Sequence, residues 1–120
     1  MTNAMFKITR IFNDQLGESH FEEIELPLND QGEIGFLSDK IAVKDVIFRK
    51  VKPGYDYDFH KAPQRQFIIL LDGKIEIETS LGEKRNFKTG DILLLEDTEG
   101  KGHKTRNIEQ NERKSIFITL

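Results

Sequence analysis

Cysteine is absent from this chain, which removes disulfides, cysteine nucleophiles and thiolate metal sites from the chemistry open to it. An excess of either charge is also missing. The 18 Lys and Arg are set against 21 Asp and Glu, interspersed along the chain for a net charge of -3, so there is no electrostatic footprint for nucleic acid. Long apolar runs are lacking as well. Phe67 to Leu71 is the longest, far below the ~20 residues of a membrane span, and Met1 to Phe12 has no basic start followed by an apolar stretch. These absences predict a soluble, cytoplasmic protein with no nucleic-acid or membrane partner. Internal repeats, linkers, phosphate-cradling glycine loops, histidine pairs at helical spacing and Gly-x-Ser-x-Gly elbows are absent too. The 120 residues fit one domain, 1–120, long enough to fold without staples.

What is present is alternation with a period of two. Ile24, Leu26 and Leu28 recur every second residue, Ile75 and Ile77 alternate with Glu76 and Glu78, and Ile116 and Ile118 with Phe117 and Thr119; each reads as a strand. Phe67 to Leu71 and Ile92 to Leu95 are continuously apolar, which suits strands covered on both faces. Residues 6–12, 20–28, 34–37 and 41–51 read as further strands, with Asn29-Asp30-Gln31-Gly32 as a loop. A helix over Asp39 to Phe48 competes, but its β-branched residues favour strand.

Turn residues separate these runs. Asp72-Gly73 lies between two apolar strands, and Asp-Gly accepts the positive φ angles of a type I′ turn, so a hairpin is expected there. Leu81-Gly82 and Thr89-Gly90-Asp91 supply two further turns. Roughly eight or more strands, spaced this way, predict an all-β sandwich or barrel.

Two histidines sit inside this pattern. Around His60 the chain carries Gly54, His60, Gln66 and Gly73; around His103 it carries Gly90, Gly100, His103 and Asn107. On one straight strand His60 and Gln66 would be about 20 Å apart, so they converge only if the chain reverses. Pro63 cannot donate to a ladder, and Ala62-Pro63-Gln64 is expected to make that reversal and to set His60 opposite Gln66 across a hairpin. Ser19 and His20 are neighbours that point to opposite faces of a strand, so they form no nucleophile and base pair; His20 remains a candidate for the rim of a pocket. Lys104 and Arg106 alternate with His103 and Asn107 and should face outward.

The glycine-punctuated order of residues 54–107 resembles the two-motif signature of the cupin superfamily, in particular its small single-domain members. The resemblance implies a double-stranded β-helix, or jelly-roll, barrel with a metal ion inside and pairing into homodimers. It carries His60 and His103 over as metal ligands. Ala62 stands where the family has a second histidine, Gln66 where it has a glutamate, and Glu96-Asp97-Thr98-Glu99 where it has a proline. Alanine has no donor atom and an amide carbonyl is neutral, so any divalent ion, Fe, Mn, Zn or Ni, is expected to be held weakly. Asp58, two residues before His60, is a further candidate ligand because both would project from one face of a strand, completing a two-histidine, one-carboxylate set.

The expected site is therefore His60, Gln66 and His103, with Asp58 as a further candidate ligand, in a pocket lined by Gln66, Ile68, Leu70, Leu93 and Leu95 and with His20 as a candidate for its rim. Two function classes follow. One is a metal-dependent enzyme acting on a small polar or carboxylated molecule, with isomerase, lyase and dioxygenase chemistry open. The other is a metal-free small-ligand-binding or sensor protein using the same side chains as hydrogen-bonding groups. A structural module that works through its sheet surfaces and edges is a third.

Overall fold

The computed structural model describes residues 5–120; residues 1–4, part of the stretch read above for a basic start, lie outside them. Twelve strands and one short 3-10 turn make up the described chain, in the order β1 (Met5–Asn13), β2 (Ser19–Pro27), β3 (Asn29–Asp30), the 3-10 turn Gly32–Ile34, β4 (Phe36–Leu37), β5 (Val46–Val51), β6 (Asp56–His60), β7 (Gln66–Leu70), β8 (Lys74–Thr79), β9 (Lys84–Lys88), β10 (Ile92–Glu96), β11 (His103–Asn107) and β12 (Arg113–Thr119). A six-stranded sheet runs β2-β1-β10-β7-β12-β5, a four-stranded sheet runs β6-β11-β8-β9, and β3 and β4 form a small ribbon. The expected all-β jelly roll is this pair of sheets.

Alternation decides what each sheet buries. Ile68 and Leu70 on β7, Leu93 and Leu95 on β10, and Ile75 and Ile77 on β8 meet Ile11, Phe21, Ala62 and Phe87 in one apolar core, with Phe117 packed against it. On the far side of β8, Glu76 accepts a hydrogen bond from Arg106 Nε at 2.9 Å, so Arg106 faces outward as its spacing required.

Three expectations need correction. The Asp72-Gly73 turn is no hairpin: β7 belongs to the six-stranded sheet and β8 to the four-stranded one, and among the described residues only glycines have positive φ, which a type I′ turn with Asp72 would contradict. The turn instead carries the chain across the core. Hairpins are formed by β1–β2, through Asp14 to Glu18, by β8–β9, through Ser80 to Glu83, and by the short β3–β4 ribbon. In the first, the Asp14 carboxylate accepts from the backbone N–H groups of Leu16 and Glu18 at 2.8 and 3.0 Å. The strand expected over 41–51 begins only at Val46, because the segment before it runs outside both sheets and ties back through Lys44 N–H to Thr119 O at 2.8 Å. The loop expected at 29–32 contains β3, which pairs Asn29 with Leu37 and Asp30 with Phe36.

Candidate functional site

A cavity of about 310 Å³ lies between the two sheets. His60 and His103 reach it from one wall. They are directly paired on the neighbouring strands β6 and β11, and their ring centroids are 4.6 Å apart. The close approach depends on Gly102, where φ is +71° and a Cβ would meet the His60 carbonyl oxygen at 1.9 Å. No other residue fits there.

Both imidazoles are fixed by what their Nδ1 atoms touch. His60 Nδ1 lies 2.9 Å from the Asp58 carbonyl oxygen. A carbonyl only accepts, so the proton is on Nδ1 and Nε2 is left as an acceptor. His103 Nδ1 lies 2.5 Å from Asp97 Oδ2, and both residues are buried. The Asp97 carboxylate accepts from His103 Nδ1–H, so in its neutral form this ring too leaves Nε2 as an acceptor, beside that of His60. Tyr57 packs on His60 with ring centroids 4.0 Å apart. Burial, and then the neighbouring His103, hold the His60 pKa below the ordinary histidine value.

Gln66 lines the same cavity from the opposite wall. It pairs with Leu95 on β10 and Thr119 on β12, so Ala62-Pro63-Gln64 steps between sheets and the expected hairpin between His60 and Gln66 does not exist. The crossing is anchored by the Ala62 N–H, which donates to Asp97 O at 2.9 Å. Ile68, Leu70, Leu93 and Leu95 line the cavity as expected.

The other two candidates fall elsewhere. Asp58 does not line the cavity; its side chain is exposed and accepts from the Phe59 N–H at 2.8 Å. The reason is local: β6 slips against β11 between His103 and Thr105, and a shift in register breaks the alternation on which the shared face depended. His20 is also outside, with Nε2 2.7 Å from Asp14 Oδ2 and its ring against Phe12.

Three further side chains at the site were not among the candidates. Asp97 belongs to the Glu96-Asp97-Thr98-Glu99 stretch that stands where the family has a proline; its signal was position, one residue past an apolar strand whose alternation turns it inward while Glu96 faces Arg10 and Arg65. Arg113 on β12 and Arg49 on β5 both line the cavity. The Arg113 side chain is only 2% exposed, its Nε donates to Asn107 Oδ1 at 2.7 Å, and its Nη1 and Nη2 have no hydrogen-bond partner. Burial, then the nearby Arg49, push its pKa down to about 10, so it is still charged at neutral pH. Arg49 Nε donates to Ser115 Oγ at 3.0 Å, and burial lowers its pKa as well. No Asp or Glu is among the lining residues.

Comparison with known structures bears on the fold. The cupin domain of Drosophila melanogaster CENP-C is 12% identical and aligns 99% of this chain with 80% of that one at a TM-score of 0.50. The chain has the cupin fold. A cupin domain from Bordetella pertussis Tohama I is 20% identical over 62% of this chain and 77% of that one, with a TM-score of 0.47. The Cnp3 cupin domain of Schizosaccharomyces pombe is 11% identical, covering 100% of this chain and 85% of that one, also at 0.47. No family model matches the chain, and no curated protein does.

Cupin membership of the fold raises the question of a metal, and the donor set answers it. Among the described residues no group of three or more His, Asp or Glu could hold an ion. His60 and His103 would have only the neutral Gln66 amide to join them, with Asp58 turned away. A divalent cation would share a cavity that already holds two guanidinium groups and no carboxylate, which leaves its charge without compensation. These residues do not fit a resident divalent ion.

Proposed function

We propose that the protein is a metal-free cupin that binds a small polar molecule between its sheets, with His60 Nε2, His103 Nε2 and the Gln66 amide as its hydrogen-bonding groups. The supporting observation is the composition of the cavity wall. Two imidazole acceptors and one amide stand in a chamber with apolar walls, whose remaining charged lining groups are Arg49 and Arg113 and which has no acidic group, a mostly apolar pocket with a few convergent polar groups. Two bare acceptors call for a ligand with hydrogen-bond donors, such as a hydroxyl, amine or amide.

A second reading is catalytic. Asp97 holds His103 by Nδ1 within a buried pair, the arrangement that orients a general base, and it supports proton abstraction of the isomerase or lyase kind without an ion. The metal-dependent reading, dioxygenase chemistry included, finds less support because of the donor set.

Calorimetric titration of the purified protein with Fe(II), Mn(II), Zn(II) and Ni(II) separates the readings. The expected result is no stoichiometric site for any of them. A one-to-one site lost in both His60→Ala and His103→Ala would overturn the proposal in favour of a metalloenzyme. Ligand-observed NMR with a library of hydroxyl- and amide-bearing fragments tests the pocket itself: binders to the wild type should fail to bind Ile68→Trp, which fills the chamber.

A further inference from the structure

We propose that Arg113 and Arg49 form an anion site at the far end of the cavity, and that the molecule bound there is a small organic acid whose carboxylate they hold. The inference rests on the cavity being the binding site, and it goes further by naming the ligand class.

Position comes first. His103 and Asn107 are the two ends of β11, about 13 Å apart along a strand. Arg113 bonds to Asn107, so the guanidinium lies at the opposite end of the chamber from the imidazoles. Both arginines lie against Tyr55, with Arg113 Cζ 5.4 Å and Arg49 Cζ 5.8 Å from its ring centroid. The cavity therefore has a cationic end and an imidazole end, joined by apolar walls from Ile68, Leu70 and Phe117.

Charge comes second. Among the described residues no ion pair involves Arg49 or Arg113. Buried guanidinium groups are ordinarily paired, because an unpaired buried charge is costly. Here Nη1 and Nη2, the two nitrogens of the planar fork, are both left over. That fork matches the two oxygens of a carboxylate. The fold also makes room for it: a Cβ at Gly73 would lie 3.0 Å from Arg113 Cβ and 3.3 Å from its Cδ, so the glycine of the Asp72-Gly73 crossing is the slot for the arginine stem.

Chemistry narrows the ligand. A bare inorganic anion would use the cationic end alone and leave the apolar walls and the paired acceptors without a partner. An organic acid with a hydroxyl or amine at its other end satisfies all three parts of the chamber. A phosphate ester offers the same anionic recognition, so the experiment must tell the two apart.

Calorimetry on the full chain with 4-hydroxybenzoate, 4-hydroxybenzamide and phenyl phosphate does so. The acid should bind at least tenfold more tightly than the amide. Arg113→Gln and Arg49→Gln should each weaken the acid tenfold or more and leave the amide unchanged, whereas a merely structural role would weaken both alike. If Arg113→Gln does not fold, Arg49→Gln and the wild-type comparison of acid with amide still decide. Equal affinity for acid and amide, unaffected by either variant, overturns the anion site and leaves the pocket standing. Binding of neither overturns both. Phenyl phosphate binding tenfold more tightly than the acid overturns the carboxylate assignment.

Discussion

His60 is a half-buried imidazole whose surroundings favour its neutral form. Its pKa is lowered by burial, so between that value and the unfolded value of about 6.5 the unfolded chain binds more protons than the folded one. The associated stability is present above about pH 6.5 and is lost as the pH falls through the folded value. Thermal melting between pH 7.5 and 5 should therefore show a larger drop for the wild type than for His60→Gln; equal drops would refute the assignment. Which residues could be read from sequence follows the same local physics. His60, Gln66 and His103 stood out because the glycine-punctuated order around them resembles the two-motif cupin signature. Arg113 did not, because an arginine near a chain end reads as solvated charge. Its burial arises from the pairing of β12 with β5, where Arg113 lies opposite Val51, and from a missing side chain at Gly73. Alternation within β12 held a clue: Arg113, Ser115 and Thr119 are buried on the face that includes Phe117, while Ile116 and Ile118 lie on the other.

Strands and turns were legible at the scale of single elements; their assignment to sheets was not. Period-two patterns located β2, β8 and β12, and continuous apolar runs located β7 and β10, because those patterns depend on burial alone. A turn sequence, in contrast, reports only that the chain bends. Asp72-Gly73 satisfies the rule for a hairpin, yet the strands it joins face each other across the core. Asp58 was misplaced for a similar reason, since the slip between β6 and β11 cannot be seen in a list of residues. The junction of those two strands carries a prediction. Gly102→Ala places a Cβ against the His60 carbonyl at a φ of +71°, and strain of both kinds should cost at least about 2 kcal/mol. Urea unfolding measures it. An unchanged midpoint would mean that β6 and β11 are not held together as described.

At the scale of the whole molecule, β5 is an edge of the six-stranded sheet, and its Val46, Ile47 and Phe48 are exposed, Phe48 at 79%. An apolar edge with free backbone donors invites pairing with another strand, and a second copy of β5 would extend the sheet into the homodimer expected above. Sedimentation should give a dimer for the wild type and a monomer for Phe48→Lys; a monomeric wild type would refute it. Elsewhere the sheet holds a pairing with a different implication. β1 lies parallel to β10, with Thr9 beside Leu93 and Phe12 beside Glu96. During synthesis the β1–β2 hairpin leaves the ribosome well before β10, the strand that it borders in the six-stranded sheet. At about 5–20 residues per second, the stretch from the end of β2 to the end of β10 takes on the order of 3 to 14 seconds. Until β10 is made Ile8, Ile11 and Phe21, all buried in the finished fold, lack its cover, so this hairpin is a segment that a chaperone would protect.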